Sequence, residues 1–156
     1  MRCIVVGVGN RFRRDDGVGL RLLNVLEEDF AIEGVDFRES SGELTELHEI
    51  FSSYESVILI DALHDEVRPA GELVRLEGPQ ITKLVAGTSS STHGLGVAQA
   101  LQMTEALGTG PKRIVLYGIV GKDFDFGPDL SSDLEKSLPR IAESIRQENW
   151  KCTKPL

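Results

Sequence analysis

The fold class that the sequence predicts is a three-layer α/β/α sandwich around a mixed five-stranded sheet. Three observations predict it. Short apolar runs alternate along the chain with segments whose apolar residues recur at helical spacing. The runs CIVVGV, VILIDAL and RIVLYGIV read as strands covered on both faces, as in α/β proteins. Only residues 63–70 separate the third and fourth strand candidates. A parallel crossover needs about a dozen residues or more, so the fourth strand runs antiparallel to the third.

CIVVGV, residues 3–8, is the first strand. From Gly17 to Phe30, Val18, Leu22, Val25 and Leu26 share one helical face. VDFRE, inside the segment 34–39, is the second strand, and residues 44–51 form a short amphipathic helix. VILIDAL is the third strand, its apolar run breaking at Asp61, and GELVRL (71–76) is the fourth. Residues 93–107 carry Leu95, Ala98, Leu101, Met103 and Leu107 at helical spacing. RIVLYGIV is the fifth strand, ending near Gly121, and residues 130–150 close the chain as a helix with Pro139 a kink candidate. Residues 1–150 make a single domain, and the tail 151–156 is expected to fray.

Composition narrows the function. The formal charge of −8 disfavours a nucleic-acid backbone as partner. No apolar run is long enough to span a membrane, and the N-terminus lacks the pattern of a signal peptide. The chain has 2 cysteines, Cys3 in an apolar strand and Cys152 near the end. Such a pair is no disulfide scaffold, so free thiols and a reducing, cytoplasmic compartment are expected.

Gly7 and Gly9 follow the first strand as in a dinucleotide fold, but Phe12 stands where the third glycine of that fingerprint belongs. Asp15 and Asp16 lie near the start of the following helix, where a carboxylate competes with phosphate for the positive helix end. Either aspartate fits equally well as an N-cap. Asn10 is suited to bond back to the backbone or to hold a group in the crevice.

Ligands of an open α/β sheet gather outside the carboxyl ends of its strands. Three polar side chains are expected there: Asp16 after the first strand, Asp61 ending VILIDAL, and His93 opening a helix after the loop GTSSSTHG. Two carboxylates and an imidazole suit zinc or nickel and leave a position open for water or substrate. Each also has a plain structural reading, as cap, strand-end turn or loop-bonded imidazole. His64, in the charged loop HDEVRP, reads as solvated, and His48 as structural. The serines at 89–91 lack the setting of a nucleophile elbow, and Cys3 sits inside a strand. Adjacent Asp15 and Asp16 point differently and form no aspartic-protease dyad.

GVGNRFRRDDGVG, then LIDAL, STHGLG and YGIVG, resemble the motifs of the hydrogenase maturation endopeptidases, over most of the chain from Met1 to about Ala142. The resemblance implies the strand order 2-1-3-5-4 with the fourth strand reversed. It implies removal of a C-terminal peptide from the large-subunit precursor of a nickel–iron hydrogenase after nickel insertion. Asp16, Asp61 and His93 then correspond to the residues that recognise the nickel and serve cleavage. No metal would be bound permanently; zinc or cadmium would occupy the site in vitro. The expected reaction is hydrolysis by a carboxylate- or metal-activated water, without an acyl-enzyme. The segment ESSGELT departs from a Gly-Gly-Thr-like stretch of some members, retaining Gly42 and Thr45. Two other classes compete: a non-catalytic nickel-sensing or chaperone module, and a small nucleotide-dependent oxidoreductase.

Overall fold

The computed structural model describes residues 2–29, 34–86, 94–148 and 152. The expected helix start at His93, and the loop residues 87–93 with it, fall outside them. In chain order the elements are β1 (Cys3–Val8), a 3-10 turn (Arg14–Gly17), α1 (Val18–Asp29), β2 (Val35–Ser40), α2 (Leu44–Ser53), β3 (Ser56–His64), β4 (Leu73–Glu77), α3 (Pro79–Ala86), α4 (Gly94–Ala106), β5 (Arg113–Gly121) and α5 (Ser132–Arg146). The sheet order is β2-β1-β3-β5-β4. All pairs are parallel except β4 with β5, where Leu73 faces Ile119 and Glu77 faces Val115.

Strand alternation divides the core cleanly. Val5, Ile58, Ile60, Val115 and Tyr117 project to one face, where α1 and α5 cover them with Leu22, Leu26, Leu134 and Ile141. Ile4, Val6, Val57, Leu59 and Leu116 project to the other, against Leu47, Ile50 and Phe51 of α2 and Val97 and Leu101 of α4. The result is the three-layer sandwich. The edge strands β2 and β4 keep charged residues on the exposed side, which discourages further strand pairing.

Three features differ from expectation. β3 does not break at Asp61: it pairs with β5 through to His64, opposite Gly121, while its pairing with β1 stops at Ile60. The hydrogen-bonding partner, not the polarity of one side chain, sets the strand's end. A helix not expected from the sequence, α3, follows β4 with Pro79 at its first position and Ile81 buried. Cys3 and Cys152 are not free thiols: a disulfide joins them, with Cα atoms 5.8 Å apart. Parallel strands alternating with helices return each helix to the amino edge, where β1 begins, so the chain beyond α5 arrives beside Cys3. Cys152 is thus tied down, and the rest of the tail expected to fray lies outside the described residues. α5 passes through Pro139 without ending.

Candidate active site at the carboxyl edge of the sheet

In the order β2-β1-β3-β5-β4 the connections from β1 diverge: α1 packs on one face and α2 on the other. This topological switch point opens a crevice beyond the carboxyl ends of β1 and β3. Pairing between those strands ends at Gly7 and Ile60. Asp61 is therefore the first residue of β3 beyond β1's reach, held from the other side by Gly118 of β5. By alternation it shares the face of Val57 and Leu59. It is buried, and one carboxylate oxygen accepts the N–H of Ala62 at 2.8 Å.

Asp16 reaches the same edge by way of the glycine turn. Gly9 has φ 155°, and a Cβ there would lie 2.1 Å from the Asp16 carbonyl oxygen. Only glycine lets the turn close so tightly on the residue that follows it. Gly19, in the first turn of α1, lies against the Ile60 and Val8 carbonyls, at 2.3 and 2.8 Å from a would-be Cβ. This contact sets the start of α1 directly on β3 where its pairing with β1 stops, one residue before Asp61. Asp16 is buried at 1% exposure, and its Oδ2 accepts the N–H of Asn10 at 3.0 Å. Asn10 in turn accepts the N–H of Phe12 through its side-chain oxygen at 2.9 Å, the backbone option among its expected roles.

Neither aspartate caps the helix that follows it. The residue before the 3-10 turn is Arg13, with no side-chain cap bond, and the carboxylates go elsewhere. Asp16 faces the glycine turn, whereas Asp15 faces the chain between β5 and α5: its oxygens accept the N–H groups of Lys122, Asp123 and Ser131. The two adjacent aspartates therefore diverge, as expected. A phosphate cradle is not built here. Phe12 is 67% exposed instead of lying at a close helix–strand contact, and two buried carboxylates stand beside the turn.

His93, the third expected member, lies outside the described residues; Gly94, which follows it, opens α4 on the face that also carries Asp61. Among the described residues no group of three His, Cys, Asp or Glu side chains is arranged to hold a metal ion. The structure thus brings Asp16 and Asp61 to one edge of the sheet. His64 is exposed on the far side of β3, its ring 5.2 Å from that of Phe124, and His48 bonds through Nδ1 to Thr104 at 2.9 Å.

The segment ESSGELT also belongs to this edge. Gly9 N–H bonds to the Ser40 carbonyl at 3.1 Å, and Ser40 Oγ accepts the N–H of Gly42 at 3.0 Å. A Cβ on Gly96 of α4 would meet the Gly42 carbonyl at 2.7 Å. The segment therefore bridges the glycine turn and the start of α4. Beside it a groove of about 360 Å³ runs between Asn10, Arg11 and Phe12 on one wall and Glu39, Ser40 and Ser41 on the other. The ion pair of Arg11 with Glu39 crosses it. Sequence reasoning missed the anchoring of Asp15; the only signal for it was a second acid beside a likelier one.

Comparison with known proteins agrees with this geometry. Residues 21–148 match the family model described as hydrogenase maturation protease, HycI. The hydrogenase 2 maturation protease of Escherichia coli K12 is 24% identical over 152 residues, covering 94% of this chain and 92% of that protein. A putative hydrogenase maturation protease of Methanocaldococcus jannaschii is 24% identical, with 93% and 94% covered. Among solved structures, the [NiFe] hydrogenase maturation protease HybD from Thermococcus kodakarensis superposes with a TM-score of 0.79 at 26% identity, covering 94% of this chain and 98% of that one. The hydrogenase maturating endopeptidase HybD from E. coli gives 0.83 at 24% identity, covering 93% and 90%. With the fold shared along its length and the family model matched over most of it, the chain belongs to the hydrogenase maturation proteases.

Proposed function

We propose that the chain removes a C-terminal peptide from the large-subunit precursor of a nickel–iron hydrogenase, and that it does so once nickel has been inserted. One observation carries the reading: two buried carboxylates, Asp16 and Asp61, stand at the switch point of the sheet in a chain of this family. His93 completes the set through its place in STHGLG. Carboxylate oxygens and an imidazole are donors suited to nickel or zinc. In this reading the nickel arrives with the precursor and is part of the substrate; groups of the precursor fill the remaining coordination positions. Zinc or cadmium would stand in for it in vitro.

The chemistry asked of the protein is modest in kind. The precursor's nickel seats against Asp16, Asp61 and His93 and places the scissile bond at the carboxyl edge. Such orientation replaces a loose encounter with a fixed one, a change that contributes several kcal/mol. A carboxylate at the same edge takes a proton from the water as its oxygen attacks the scissile carbonyl carbon, and returns it to the amide nitrogen as the C–N bond breaks. In this reading the hydrolysis passes through no acyl-enzyme, and Cys3 is held in a disulfide.

Mass spectrometry of paired apo and nickel-loaded precursors, drawn from a panel of large subunits, tests the reading. The expected result is a single cut near the C-terminus of a loaded precursor and none in its apo form. Equal cleavage of both would remove nickel recognition while leaving a protease. Stable binding of a loaded precursor with no shortening would favour the chaperone alternative.

A further inference from the structure

Among the described residues, Asp15 is the one fully buried carboxylate that the proposed reaction does not use. We infer that it is a positioning residue for Asp16, and that the segment between β5 and α5 is the other half of the device. The inference rests on the proposed role of Asp16.

Four donors converge on the Asp15 carboxylate. Oδ2 accepts the Lys122 N–H at 2.8 Å, the Asp123 N–H at 2.9 Å and the Ser131 hydroxyl at 2.8 Å; Oδ1 accepts the Ser131 N–H at 2.7 Å. Ser131 is the residue that precedes α5, and its hydroxyl is spent on Asp15, not on capping its own helix. The carboxylate therefore lies at the start of a 15-residue helix, where negative charge is favoured. The backbone around it is fastened as well. Asp15 N–H bonds to the Asp123 carbonyl at 2.9 Å, Arg14 N–H to the Gly127 carbonyl at 2.9 Å, and Gly127 N–H to the Phe12 carbonyl at 2.8 Å. Arg14 pairs through Nε with Asp123 at 3.0 Å. A Cβ on Gly121, at the end of β5, would lie 3.0 Å from the Asp15 Cβ.

These contacts fix the 3-10 turn from one side, while Gly9 and Asn10 fix it from the other. Asp16 sits between the two clamps and has no independent freedom of backbone. A misplacement of about 1 Å in such a site costs on the order of 100-fold in rate. Asparagine cannot replace Asp15. Both of its oxygens face backbone N–H groups, so either orientation of an amide directs an NH2 donor at another donor.

The test compares Asp15→Asn, Ser131→Ala and Asp16→Asn on the nickel-loaded precursor that the wild-type chain cuts, at a temperature where circular dichroism shows each variant folded. A carboxylate that only supports the fold lowers Tm and leaves kcat and KM of the folded protein unchanged. A residue that positions Asp16, which both seats the precursor's nickel and serves cleavage, lowers kcat/KM of the folded protein. The expected result for Asp15→Asn is a drop in kcat/KM of about tenfold or more. Wild-type kcat and KM in folded Asp15→Asn overturn the inference. If Asp15→Asn does not fold, Ser131→Ala decides, because it removes the hydroxyl donor and keeps the backbone ones: a kcat/KM lowered about threefold in the folded protein supports the assignment, and an unchanged kcat/KM overturns it. Asp16→Asn separates the two levels. If it cuts at the wild-type rate, the reading of the site fails and the inference with it. If it is inactive while Asp15→Asn is normal, the inference alone fails.

Discussion

The two ends of the sheet are built on opposite plans. At the amino edge, Cys3, Ser56 and Arg113 begin three strands in register. Long side chains and a covalent bond close that edge. Cys3 is bonded to Cys152, Lys112 pairs with Glu55 at 2.7 Å, and Glu148 gathers Arg75, Arg113 and the hydroxyl of Tyr117. At the carboxyl edge glycines let the backbone pack closely, and buried carboxylates bonded to backbone N–H groups accompany the ion pairs of Arg11 with Glu39 and Arg14 with Asp123. One end spends its chemistry on holding the chain together. The other keeps its backbone close-packed so that two carboxylates are held still beside an open groove.

The contrast breaks first at Gly9. A methyl group there meets the Asp16 carbonyl oxygen at 2.1 Å, so Gly9→Ala must displace the turn that carries the site. Cleavage is expected to fall on the order of 100-fold in kcat, measured by precursor shortening, with the fold retained. At the other edge the largest effect is on stability. The disulfide closes a span of 149 residues, and Cys152→Ser is expected to cost about 5 kcal/mol in the chain-entropy view. Denaturant unfolding without reductant checks it, and cleavage by the folded variant should remain at the wild-type rate. Thiol titration of the native protein without reductant should find no free thiol.

A smaller effect, dependent on pH, is expected at Glu148. The hydrogen bond from Arg75 holds its carboxyl below the usual range, with further help from the nearby charges of Arg75 and Arg113. A depressed folded pKa gives stability that is present above the unfolded value and lost as pH falls through the folded one. Glu148→Gln should therefore lower stability by about 1–2 kcal/mol at neutral pH, and the difference from wild type should vanish in acid. Thermal melts of both proteins from neutral to acidic pH check this, and a difference that persists unchanged in acid contradicts it.

Much of this was legible in the sequence, for reasons that differ between the edges. The apolar runs and the short span 63–70 specified the strands and the reversal of β4, because burial on two faces and the reach of a crossover leave few alternatives. The placement of Asp16 and Asp61 at the carboxyl edge was legible because one follows the glycine turn after β1 and the other interrupts the apolar run of β3. The extension of β3 past Asp61 was not, since it depends on β5 as a partner. The disulfide was hidden by a separation of 149 residues: local pattern carries nothing about which chain ends meet. Asp15 was read only as the neighbour of Asp16, because the donors that bind it come from residues more than 100 positions away.

The most direct test measures cleavage and melting together, on one nickel-loaded precursor, for variants from both edges. Asp16→Ala, Asp61→Ala and His93→Ala are expected to lose cleavage by about 100-fold or more while remaining folded. Cys152→Ser and Glu148→Gln are expected to lose stability while cutting at the wild-type rate when folded. Cleavage at the wild-type rate by folded Asp16→Ala, Asp61→Ala or His93→Ala would contradict the account, because the carboxyl edge would then not be where the peptide bond is broken.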